Sequence, residues 1–119
     1  MPGYSDTAKN LMLTQLGTSA GFVSLHTATP GTTGAAEVSN VGVYDRQAIT
    51  WGSAAGGSIA ASNQPQFDVP EATTISHFGL WSAATGGTFY GGSALSAAET
   101  FAAQGQYTLT SVNMDLNGV

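Results

Sequence analysis

Residues 22–27, Phe22-Val23-Ser24-Leu25-His26-Thr27, decide the fold. Val23, Leu25 and Thr27 share one parity, and Phe22, Ser24 and His26 share the other. This period of two belongs to a strand, whose successive side chains point to opposite faces. Residues 74–81 are the strongest strand expected after this one. After them, residues 82–87 carry Gly86-Gly87, a good hairpin turn pair. Residues 88–95 return as the partner strand, and their Gly91-Gly92 pair suggests a bulge or a close backbone approach.

Outward from these strands the pattern holds. Residues 28–40 form a long polar loop broken by Pro30-Gly31 and Gly34. Residues 44–51 read as a strand in which Tyr44, Arg46, Ala48 and Thr50 alternate with Asp45, Gln47, Ile49 and Trp51. A Gly/Ala/Ser turn at 52–57 precedes short strands at 58–61 and 66–69, the latter bracketed by Pro65 and Pro70. The last strand, 106–116, changes phase, with Tyr107 and Leu109 on one parity and Val112, Met114 and Leu116 on the other. A one-residue bulge near Thr110-Ser111 would reconcile them.

The one helix expected lies at residues 5–16. Ser5 or Asp6 caps it, Ala8, Leu11, Met12 and Leu16 supply its apolar face, and Gly17 stops it. Turn spacings of about 8–12 residues then predict a mostly β chain. The expected architecture is a single antiparallel β-sandwich or flattened barrel over about 21–117, with the short helix beside it. All 119 residues form one domain, a length that suits a single core.

Composition narrows function. Charged residues are 8% of the chain, against roughly 25% in ordinary soluble domains. Two basic residues, Lys9 and Arg46, face seven acidic ones, for a net charge of -5. Such a chain cannot neutralise phosphates, so nucleic acid is excluded as a partner. A polybasic membrane patch is excluded likewise, and no apolar run approaches the ~18 residues of a membrane span. The N-terminal residues do not resemble a signal peptide, which implies synthesis in a cytoplasm. There are no cysteines, hence no disulfides and no thiolate metal sites.

Catalytic and metal patterns are missing, so no catalytic residue, cofactor or metal is expected. His26 and His77 lack the short spacing of a zinc pair. Asp68 and Glu71 flank Pro70 and read as a solvated turn rather than a glycosidase pair. Ser24 and His26 are neighbours on one strand face, without a nucleophile elbow or oxyanion loop. The glycine-rich runs lack the Gly-Lys-Ser/Thr of a phosphate loop. Arg46 is the sole arginine, and its fork suits a bidentate carboxylate. Glu37 or Glu71 is the expected partner, either as a staple within the chain or as a salt bridge between subunits. Trp51, Trp81 and Tyr90 are read as packing, or as interface anchors if exposed.

Three stretches carry a resemblance. Ser24 to Glu37 reads SLHTATPGTTGAAE, Tyr44 to Trp51 reads YDRQAITW, and His77 to Leu95 reads HFGLWSAATGGTFYGGSAL. Together they resemble small bacteriophage virion structural proteins, variously labelled tail fibre, minor tail or head decoration proteins. The resemblance implies a non-enzymatic virion component made in the host cytoplasm. Its partners would be the major capsid protein or tail proteins, and copies of itself. The acidic balance puts it on the outer surface, away from packaged DNA. Outward-facing capsid decoration is the first expectation. The alternative is a tail-fibre or minor tail module that adheres to a host glycan.

Overall fold

A computed structural model describes residues 3–38 and 42–116. Its elements are helix α1 (Asp6–Ser19) and strands β1 (Phe22–His26), β2 (Gln47–Ala48), β3 (Ser58–Ala60), β4 (Gln66–Val69), β5 (Thr73–Trp81), β6 (Phe89–Phe101), β7 (Gly105–Thr108) and β8 (Asn113–Asp115). The chain is mostly β, with every described strand pairing antiparallel. A four-stranded sheet in the order β2-β1-β5-β6 is accompanied by two-stranded sheets β3-β8 and β4-β7.

The alternation at 22–27 sets the two faces of the larger sheet. Across β1 and β5, Val23 pairs with Leu80 and Leu25 with Phe78. These side chains join Ile49, Phe67, Val69, Ile75, Leu95, Leu109 and Val112 in the core. The opposite face carries Ser24 against Gly79, His26 against His77, and Phe22 against Trp81. That second face is also buried at Ser24, His26 and Trp81. The loop after β1 covers it.

Four expectations change. First, α1 runs through Gly17 to Ser19, capped by the Ser5 hydroxyl, which accepts from the Ala8 amide at 3.2 Å. Gly17 is not a stop. It lets the Trp51 indole approach, since a Cβ there would lie 3.2 Å from the ring. The helix docks by this contact, by the buried Leu13, and by the Asn10 side chain, which accepts from the Gly57 amide at 3.0 Å. The expected apolar face is therefore turned outward in part, with Leu11 70% and Met12 42% exposed.

Second, the strand expected over 44–51 contracts to β2. Its ends are diverted to other partners: Tyr44 and Arg46 bond Glu37, and the Thr50 amide donates to the Asn63 side chain. Third, the strand expected over 106–116 is two strands. β7 pairs with β4 and β8 with β3. The phase change marks a passage between two sheets, with Leu109 and Val112 buried on either side of it, rather than a bulge. Fourth, β6 continues past Leu95 to Phe101, with pairing shifts opposite Ile75/His77 and opposite Leu80/Trp81. At the second shift Tyr90 is the extra residue. At Gly92 a Cβ would collide with the Phe78 carbonyl, so both features suggested by Gly91-Gly92 occur.

Candidate functional site

The loop of residues 27–38 folds back over the Ser24–His26 face. The Thr27 amide donates to the Ala36 carbonyl, and the Val38 amide to the Leu25 carbonyl, both at 2.9 Å. Gly31 and Gly34 turn through the left-handed region, with φ of 59° and 80°. Gly34 lies against Trp81, where a Cβ would come within 2.5 Å of the indole. The Trp81 ring meets Phe89 edge-on, centroids 5.1 Å apart.

Beneath the loop a hydrogen-bond relay runs through buried atoms. The Trp81 Nε1–H donates to Ser24 Oγ at 2.8 Å. Ser24 Oγ lies 2.6 Å from His26 Nε2, and His26 Nδ1 lies 2.7 Å from the Ala35 carbonyl. A carbonyl only accepts, so the network assigns the proton to Nδ1 and leaves Nε2 to accept from the serine. Each donor then has one acceptor. Burial holds the His26 pKa below its ordinary value, so the ring is neutral near pH 7.

At the loop's end Glu37 meets Arg46. Arg46 Nε and Nη2 each donate to one Glu37 carboxylate oxygen at 2.9 Å, a bidentate pair with the side chains 9% and 22% exposed. Arg46 Nη1 donates to the Ala83 and Gly86 carbonyls at 3.0 and 2.8 Å, tying in the β5–β6 turn. The guanidinium carbon sits 3.7 Å above the Trp81 ring centroid, a cation–π stack. The Tyr44 hydroxyl donates to Glu37 Oε2 and accepts from the Leu25 amide. Burial pushes its pKa far above the ordinary range.

Of the residues singled out by sequence, the structure brings together Arg46, Glu37 and Trp81. It does not bring Trp51 or Tyr90 to them. Trp51 is half-buried under α1, its Nε1–H donating to the Ala20 carbonyl at 3.0 Å. Tyr90 is 41% exposed on β6. Glu71 lies on the surface outside the network. Tyr44, Gly34 and Gly79 are the members that sequence reasoning missed. A Cβ on Gly79 would lie 2.7 Å from His26 Nε2 and 2.9 Å from Ser24 Oγ. One signal was legible, namely that Ser24 and His26 share a parity within an otherwise apolar strand.

Chemically the arrangement binds itself. Ser24 and His26 are sealed from solvent, and the ring nitrogen that a catalytic carboxylate would hold is held by a backbone carbonyl. Asp68 and Glu71 stand exposed, and Asp68 accepts from Gln106 at 3.3 Å. Among the described residues no group of three or more His, Cys, Asp or Glu side chains is placed to hold a metal. No helix among them is long and apolar enough to cross a membrane.

The three sequence stretches therefore meet in one place: Ser24–Glu37 as the covering loop, Tyr44–Trp51 through Tyr44 and Arg46, and His77–Leu95 through Gly79, Trp81 and Phe89. A comparison with curated proteins finds no match. A family model does, over residues 5–117, and its description is Podophage GP4 fiber I protein gp80. That span takes in the helix, all the strands from β1 to β8 and the network beneath the loop, so the chain belongs to this family of phage fibre-type structural proteins.

Proposed function

We propose that the chain is a non-enzymatic subunit of a phage fibre, carried on the outer surface of the virion, that contacts neighbouring fibre subunits and a host-envelope glycan. The family match over residues 5–117 carries this reading, and it favours a fibre over capsid decoration. The fold supports it in a second way. The loop network takes Arg46 and Glu37 into internal bonds, leaving a surface on which the exposed carboxylates Asp6, Asp45, Asp68, Glu71, Glu99 and Asp115 stand among Ser, Thr, Asn, Gln, Gly and Ala. Between these carboxylates such a surface meets partners by shape and neutral hydrogen bonds. Arg46 and Glu37 act here as an internal staple, whereas the exposed Tyr90 is available as a contact residue.

Copy number and location test the proposal. Gold-labelled antibody against the chain should mark fibres on purified particles, with quantitative mass spectrometry giving a few tens of copies or fewer. Labelling spread over the shell in hundreds of copies would return the assignment to capsid decoration. Hydrolysis is tested separately. Purified protein should leave host cell-wall polysaccharide intact, and Asp68→Asn and Glu71→Gln should behave like the unaltered chain.

A further inference from the structure

The relay beneath the loop contains a titratable ring with no spare acceptor, and this has a directional consequence. With His26 neutral, the donors Trp81 Nε1–H, Ser24 Oγ–H and His26 Nδ1–H are matched by the acceptors Ser24 Oγ, His26 Nε2 and the Ala35 carbonyl. A proton on Nε2 turns that acceptor into a donor aimed at Ser24 Oγ, 2.6 Å away. The serine oxygen would then receive both the indole and the imidazolium N–H, and its own proton would lose its acceptor. A buried donor without an acceptor and a buried unpaired charge are both costly.

The surroundings do not offset that charge. His77, on β5, is the cross-strand partner of His26 and opposes a second positive ring. The Arg46 guanidinium opposes it as well. Among the described residues Glu37 is the one acidic group acting on the ring, and both its carboxylate oxygens are engaged by Arg46. Phe89, on β6, presents a ring edge 6.4 Å away between centroids. The rest of the covering loop, residues 27–36, contains no charged residue.

Relief can come only from water, and the loop is what excludes water. The β1–β5 ladder pairs all five residues from Phe22 to His26 without a shift, and β5 is held on its other edge by β6, so the sheet cannot open cheaply. Residues 28–36 can. They are held by the His26–Ala35 bond, by Gly34 on the indole, by Pro30 beside Gly92, by the Thr27 amide on the Ala36 carbonyl at the neck and by turns within the loop, while Glu37 and Val38 are anchored separately. We infer that His26 is an acid-operated latch: while neutral it holds residues 28–36 over the Trp81–Phe89 pair, and on taking up a proton it releases them and uncovers that aromatic face. The latch is independent of where the protein sits on the particle.

Nitrogen-15 NMR of the unaltered chain tests it. As pH falls from 8 to 4, the His26 imidazole shifts, the Trp81 indole N–H and the residue 28–36 amides should change together, with one midpoint, while the amides of Val23 and Leu80 stay protected. Acrylamide quenching gives a second readout. In a Trp51→Phe background Trp81 is the sole tryptophan, and its quenching should rise several-fold with the same midpoint. His26→Gln, which keeps a donor and an acceptor but does not titrate, should flatten that rise. A His26 ring that becomes charged while Trp81 and the loop do not move overturns the inference. So does loop release at the same midpoint in His26→Gln, or simultaneous loss of the Val23 and Leu80 amides, which would be global unfolding.

Discussion

Gly79 is one of the least replaceable residues of the site. Ser24 Oγ and His26 Nε2 occupy the space its side chain would take. Gly79→Ala should therefore destabilise by about 1–3 kcal/mol, as overpacking does, read from the denaturant midpoint at constant slope. Ala36 makes the opposite case. It holds φ of 62°, a region that costs a non-glycine residue roughly 1–2 kcal/mol. Ala36→Gly should raise stability by somewhat less than that, because glycine also gains freedom in the unfolded chain. His26 sets the pH dependence. Its folded pKa lies below 6.5, so the unfolded chain binds the proton first as pH falls. The stability conferred by the neutral ring is complete above pH 6.5, and declines as pH falls below it until the folded pKa is passed. A urea series at pH 8, 6.5 and 5 checks the sign, and His26→Gln should flatten that part of the profile.

Among the elements, α1 shows where periodicity misleads. Ala8, Leu11, Met12 and Leu16 make a convincing apolar stripe, yet the helix lands on the face of Asn10, Leu13 and Gly17. A close approach to Trp51 goes with this rotation, and a Cβ at position 17 would crowd the indole at 3.2 Å. Propensity and pattern could not show that, because the partner is 34 positions away in the chain. Gly17→Leu should undock the helix and cost about 1–3 kcal/mol through overpacking, with loss of the Trp51 near-UV circular dichroism signal. Leu11→Gln should stay within about 0.5 kcal/mol of the parent, since it removes an exposed side chain. The strands were more legible. β1 and β4 follow their alternation closely, whereas β5 changes phase between Ile75 and Phe78, both of them in the core. The segment at 44–51 misled because Tyr44 and Arg46, on one parity, are recruited to bond Glu37 in place of continuing the ladder. The segment at 106–116 misled because a change of sheet and a bulge leave the same phase shift in a sequence.

For the molecule as a whole, the Arg46–Glu37 pair closes three segments onto one another: the covering loop, the lead into β2, and the β5–β6 turn. Sequence pointed to these two residues because a sole arginine in a charge-poor chain demands a partner. It could not supply Tyr44, the Trp81 stack or the Ala83 and Gly86 carbonyls, which depend on how the loop closes. Removing one member of a buried pair costs about 3–5 kcal/mol. Arg46→Ala should fall near the lower end, because Glu37 keeps some contact with water and its bond from Tyr44. Thermal melts should show it, and the loss should change little between low and moderate salt, since this pair is largely buried and is screened less than exposed charges are.

The caging of Arg46 also decides how the folded chain meets digestive enzymes. Trypsin-like proteases cut after lysine or arginine, and this chain has two such residues. One is Lys9, held within α1, and the other is Arg46, with its head under the β5–β6 turn and its side chain 9% exposed. A fibre built from such subunits would give these enzymes almost nothing to grip, and cleavage after Arg46 would report the moment the fold comes apart.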